Sequence, residues 1–106
     1  MYVPAVDIDC LVIEYDCSKP RAIIEYKHEN VVKVDTNKST IKALVNLGNA
    51  AGLPVFVAVY SDDFVTWWVK ALNELGKVWL PEYRKMMRKE YITFNLSKGF
   101  KTDQFF

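Results

Sequence analysis

Residues 55–60, VFVAVY, form an unbroken apolar run just behind a helix-patterned stretch that stops at Gly52 and Pro54. A half-exposed strand alternates apolar with polar residues, so a run without alternation belongs to a strand covered on both faces. From Thr40 to Ala51, the residues Ile41, Leu44, Val45, Leu47 and Ala51 follow helical spacing, and the preceding DTNKS offers N-cap side chains. Gly52 and Pro54 are helix stop signals. A helix that crosses over to a buried strand predicts an α/β arrangement with a mixed sheet.

The flanking segments extend that sheet. Residues 6–15, VDIDCLVIEY, are rich in β-branched and aromatic types and read as a strand. The turn formers of 16–21 lead to a second strand, AIIEYK at 22–27, and the two form a hairpin. VVKV at 31–34 reads as a short strand and 61–63 as a loop. FVTWWVKAL at 64–72 reads as a strand from its Val, Thr and aromatic content. PEYRKMMRK at 81–89 opens on proline and reads as a short basic helix, YITFNL at 91–96 reads as a final strand, and the last ten residues are expected to fray. The expected order is β-β-(β)-α-β-(β)-α-β in one domain, residues 1–106.

At 51% hydrophobic and 14% aromatic the chain is globular rather than disordered. No apolar window reaches the length needed to span a bilayer and no signal-peptide pattern opens the sequence, so the protein is expected in the cytoplasm. Cys10 and Cys17 fit no zinc spacing and are read as free thiols. The net charge of +1 argues against a general nucleic-acid coat protein, but its distribution is uneven. Residues 1–30 hold six acids against three bases, and residues 76–106 hold seven bases against three acids. That asymmetry suits a cation site beside a polyanion-binding surface, and it also suits an ordinary protein with scattered charges.

The chemistry-bearing residues lie in the hairpin, AVDIDCLVIEYDCSKPRAIIEYKHE at 5–29. Side chains alternate along a strand, so Asp7, Asp9, Leu11 and Ile13 share one face of the first strand. Ile23, Glu25 and Lys27 share one face of the second. A hairpin register that matches these faces brings Asp9 near Glu25, with Lys27 one pleat further on. Two carboxylates from adjacent strands suit a hard divalent cation, and a lysine beside them suits a bound water or phosphoryl charge. The same charges also suit a cross-strand salt-bridge cluster on a solvated face, worth about 0.2–1 kcal/mol per pair.

An aspartate opening a strand, a turn, and an apolar run ending Glu-x-Lys is similar to the active-site motif of the PD-(D/E)XK nucleases. Here the motif is Asp9 with Glu25-Tyr26-Lys27, followed by the helix at 40–51 and AGLPVFVAVY. The likeness covers roughly residues 5–60, slightly over half the chain. Ile8 stands where the family has proline, and Asp7 competes with Asp9 for the acidic role.

The resemblance implies a restriction-endonuclease-like fold with a β-β-β-α-β core, and a magnesium- or manganese-dependent DNA endonuclease. The small stand-alone phage nucleases and Holliday junction resolvases of that superfamily are the nearest in size, and structure-selective cleavage is among the implied activities. Asp9 and Glu25 would be metal ligands, the Tyr26 carbonyl would complete the set, and Lys27 would act on water and phosphate. Because the motif lies close to Met1, the helix that precedes it in the family is expected to be absent. The core would then be completed by the C-terminal segment, by a second subunit or not at all, and a homodimer is expected. The alternative is a nuclease-fold protein that binds nucleic acid or a protein partner without cutting.

Four further features bear on function. Lys42 on the helix is a secondary candidate for the site, or exposed decoration. Arg84, Lys85, Arg88 and Lys89 lie along one side of the expected basic helix and are candidates for phosphate contact, or form a solvated face. Tyr60, Phe64, Trp67, Trp68 and Trp79 are read as core or subunit interface, with base stacking as the alternative. His28 and Glu29 are read as loop.

Overall fold

A computed structural model of the chain describes residues 7–14, 18–30 and 38–99, the last five by backbone alone. It contains β1 (Cys10–Ile13), β2 (Pro20–His28), α1 (Ser39–Ala51), β3 (Val55–Tyr60), β4 (Thr66–Ala71), α2 (Glu74–Trp79), β5 (Arg84–Met87) and α3 (Arg88–Gly99). The strands form one mixed sheet in the order β1-β2-β3-β4-β5. β2 and β3 are parallel, as a helical crossover between them requires, and the other three pairings are antiparallel.

The sheet is covered by helices on both sides. On one face α1 contributes Ile41, Leu44 and Gly48, with Leu44 packed against Ile23 and Val55. Gly48 permits that approach, because a Cβ there would lie 2.2 Å from Val55 Cγ2. On the other face Ala22, Ile24, Phe56, Ala58, Val69, Ala71 and Met86 pack with Tyr91 of α3. Trp67 stacks on Tyr91 at 4.3 Å, and the Tyr91 hydroxyl donates to that of Tyr26 at 2.8 Å. β3 is buried on both sides from Val55 to Ala58, which is why its sequence does not alternate.

Several elements differ from expectation for identifiable reasons. β2 begins at Pro20, where the first position of a strand tolerates a missing amide. α1 has Lys38 as its N-cap residue with no side-chain cap, and it ends at Gly52 in the left-handed conformation (φ 71°). VVKV and Cys17 lie outside the described residues.

The basic helix over 81–89 does not form. Residues 84–87 instead hydrogen-bond to the open edge of β4, sending only Met86 into the core. YITFNL is helical rather than extended: in α3, Tyr91 and Phe94 are three apart on one side and both pack on the sheet. α2 was not expected at all. Its N-cap is Asn73, whose side chain accepts the Gly76 amide at 2.8 Å. The C-terminal segment thus supplies, as α3, the layer opposite α1.

Candidate functional site

The β1–β2 register pairs Cys10 with Ile24, so Asp9, one residue before β1, lies opposite Glu25. Alternation then sends Asp9, Glu25 and Lys27 to the α1 face, while Cys10, Ile24 and Tyr26 go to the α3 face. The convergence expected from the sequence is present. The Asp9 and Glu25 carboxyls are hydrogen-bonded to one another. Lys27 Nζ lies 3.5 Å from Glu25 Oε2. Asp9 Oδ2 also accepts the backbone N–H of Tyr26 at 2.9 Å, which fixes the carboxylate against β2.

The electrostatics of this cluster are asymmetric. Glu25 is only 7% exposed, and burial, reinforced by the hydrogen bond and charge of Asp9, pushes its carboxyl up to about 7 against the weaker opposing effect of Lys27. Asp9 is exposed, and its carboxyl is held below the usual range, chiefly by the hydrogen bond with Glu25 and then by the Tyr26 amide and Lys27. Two carboxyls this close do not ionise together easily, so they share one proton as pH falls below about 7. Among the described residues the cluster is unsatisfied in charge: two potential negative charges face a single lysine.

These donors fit a hard divalent cation, which prefers oxygen and would replace the shared proton. The Tyr26 carbonyl projects to the same strand edge as its amide, toward Asp9, and β1 begins too late to pair with it. Among the described residues no group of three or more His, Cys, Asp or Glu side chains gathers as a metal site, so the set is two carboxyls and that carbonyl. Asp7 is exposed and takes no part in the hydrogen bonds of the cluster, so the register favours Asp9 over it. Lys42 is exposed on α1 and lines a groove of 210 Å³ with Ile41, Val45, Asn46 and Leu72, on the same face of the sheet.

The four basic residues expected along one helix side are dispersed. Arg84 reaches Glu90 at 3.4 Å, and Arg88 donates to the carbonyls of Phe64 and Asp63 at 3.0 Å each. Lys85 points to the α1 face, opposite Met86. Arg84 and Lys89 line a cavity of 490 Å³ with Trp79, Met86, Glu90 and Phe94 on the α3 face, across the sheet from the carboxyls.

Of the aromatic residues, Trp67 and Trp79 pack on the α3-side core, and Tyr60 and Phe64 stack on each other at 5.3 Å. Trp68 belongs to neither core cluster. His28 ends β2 rather than entering a loop; its Nδ1 accepts the Asn30 amide at 3.1 Å and its Nε2 meets Asp62. Comparison with protein-family models, curated proteins and solved structures finds no match to this chain.

Proposed function

We propose that this chain is a magnesium- or manganese-dependent DNA endonuclease whose site is Asp9, Glu25 and Lys27. The observation that carries the reading is the Asp9–Glu25 pair facing across the β1–β2 register, with Lys27 3.5 Å from Glu25, at the junction of an antiparallel and a parallel strand pair. A solvated salt-bridge ladder would balance its charges and leave them exposed. Here the acid is in excess and Glu25 is nearly buried.

In this reading the Asp9 and Glu25 carboxylates and the Tyr26 carbonyl would hold the cation. When bound it supplies Lewis-acid polarisation of the scissile phosphate and a lowered pKa for a bound water. Lys27 offers an ammonium at the same place, to orient the attacking water and to balance charge on the phosphoryl oxygens. Water oxygen bonds to phosphorus, the P–O bond to the leaving strand breaks, and its proton passes to that leaving oxygen. A two-fold dimer would place two such sites on two strands. Leu11 and Ile13, 43% and 40% exposed on edge strand β1, are available to such contact.

The test is incubation with linear and branched DNA in magnesium or manganese. The wild type is expected to cleave, with the rate falling at least ~100-fold in Glu25→Ala, as for loss of a group that stabilises transition-state charge. A second readout needs no turnover: at pH 8 manganese should raise the melting temperature of the wild type and leave Glu25→Gln unmoved. Equal cleavage by Glu25→Ala, or no cleavage and no manganese shift in the wild type, would sink the proposal.

A further inference from the structure

The carboxyl site occupies one side of a sheet face whose other side is open. α1 packs over β2 and β3. Beyond it, the side chains of β4 and β5 on that face are exposed at Lys70, Lys85 and Met87 and half-buried at Trp68. Strand pairing sets these residues in rows with the site. Glu25 is beside Val57, which is beside Lys70. Lys27 is beside Val59, then Trp68, then Lys85. At a strand spacing of about 4.8 Å, Lys70 and Trp68 are roughly 10 Å from Glu25 and Lys27, and Lys85 roughly 14 Å from Lys27.

Three properties of this strip go together. Among the described residues, neither Lys70 nor Lys85 is in an ion pair. Among the described residues Trp68 has no ring partner and no hydrogen bond from its indole nitrogen, whereas Trp67, its neighbour in sequence, stacks on Tyr91 and donates to the Phe64 carbonyl. Of the acids on the same face, Asp9 and Glu25 are engaged with each other and with Lys27, and Asp7 is exposed. Positive charge therefore lies on the open strands and an indole lies between it and the site.

We infer that Trp68, Lys70 and Lys85 bind a single-stranded DNA segment leading into the Asp9–Glu25–Lys27 site, with Trp68 stacked on an unpaired base and the lysines on phosphates. This inference rests on the nuclease reading of that site. An indole seated on a sheet face engages a base only through its π-face, which a duplex keeps hidden and an unpaired strand exposes. The two lysines are complementary to the backbone, and the row Lys27, Val59, Trp68 and Lys85 joins the strip to the residues that would act on the strand. The rings on the opposite face are packed among themselves, with Tyr26 edge-on to Trp67 and Tyr91, and serve the core.

Binding can be read separately from cleavage. In EDTA, fluorescence anisotropy of a labelled oligothymidylate is measured for the wild type, Trp68→Leu, Trp68→Phe, and Lys70→Ala/Lys85→Ala, each checked for cooperative melting. Trp68→Leu keeps an apolar side chain on the sheet and removes the stacking ring, and is expected to weaken binding about tenfold. Trp68→Phe, which keeps a ring, should recover most of it. The double lysine variant should lower the salt slope by about 1.4, the value for two single-strand phosphates.

Binding in EDTA is read without turnover, so absence of cleavage with binding intact counts against the nuclease reading alone, and loss of binding specificity counts against this surface. The inference is overturned if Trp68→Leu binds the strand as the wild type does, or if duplex or RNA of the same sequence binds more tightly. It is also overturned if Trp68→Leu alters only the oligomeric state, since a second copy would then cover the face.

Discussion

The sheet buries polar side chains at both ends of the β2–β3 pair and treats them in opposite ways. Asn73, beside the start of β3, uses its full capacity. It accepts the amides of Val55 and Gly76 at 3.0 and 2.8 Å, and donates to Asn49 Oδ1 and the Leu53 carbonyl at 3.0 and 2.9 Å. Glu25, toward the other end, is as deeply buried, yet it is paired with a second carboxyl and one lysine. One buried polar group ties three elements together without charge. The other keeps an unresolved charge in place. A satisfied network stabilises and specifies, whereas a strained ionisable pair in a half-open place is what chemistry uses.

The comparison breaks most visibly at Asn73. Asn73→Ala leaves two buried amides without acceptors, and its expected cost is about 3 kcal/mol, read as a lower urea midpoint with an unchanged slope. A loss below about 1 kcal/mol would show that water or relaxation replaces the network. The effect should not vary with pH, since no member of the network titrates.

Glu25→Gln should act in the opposite direction. The folded pKa of Glu25, about 7, lies above its ordinary 4.5. The stability associated with its proton is therefore fully present below 4.5 and is lost as pH rises through 7. The shift corresponds to about 3 kcal/mol at most, and the loss of the Lys27 contact leaves an expected gain of about 1–2 kcal/mol for Glu25→Gln at pH 8. That gain should vanish below the ordinary carboxyl range, where the wild type is protonated as well. Melting curves of both proteins across pH check it; a destabilised Glu25→Gln at pH 8 would place Glu25 with Asn73 as a structural group.

The smallest expected effect concerns the pairing itself. Asp9→Asn removes the neighbouring charge and offers an N–H donor to ionised Glu25, so the Glu25 midpoint should fall from about 7 toward its ordinary value without reaching it, because burial remains. Carbon-13 titration of the Glu25 carboxyl reads this directly. An unmoved midpoint would assign the whole shift to burial.

What the sequence made legible follows from how local each signal is. VFVAVY, the helix stop at Gly52 and the matched faces of Asp9 and Glu25 depend on patterns of a few residues, and all three are found in the structure. The segment from 73 to 99 depends on what lies beside it. Residues 84–87 have helical charge spacing but are recruited by the unpaired edge of β4. YITFNL has strand composition but lies where a helix must cover Phe56 and Trp67. The same tertiary override scattered Arg84, Lys85, Arg88 and Lys89. The placement of Trp68 and Lys70 was within reach of period-two counting from Val69 and Ala71, whose burial fixes the opposite face.

β2 carries an acid and a lysine on one side and Tyr26 on the other, and the two sides cannot be exchanged. A slip of one residue would drive Glu25 and Lys27 among Trp67, Tyr91 and Phe56 and would take Tyr26 from that cluster to the α1 face. The residues proposed to act on substrate therefore also proofread the assembly of the sheet, rejecting the nearest wrong pairing by its chemistry. Replacing them with apolar side chains would remove more than a reaction, since the chain would lose one of its means of telling its two surfaces apart.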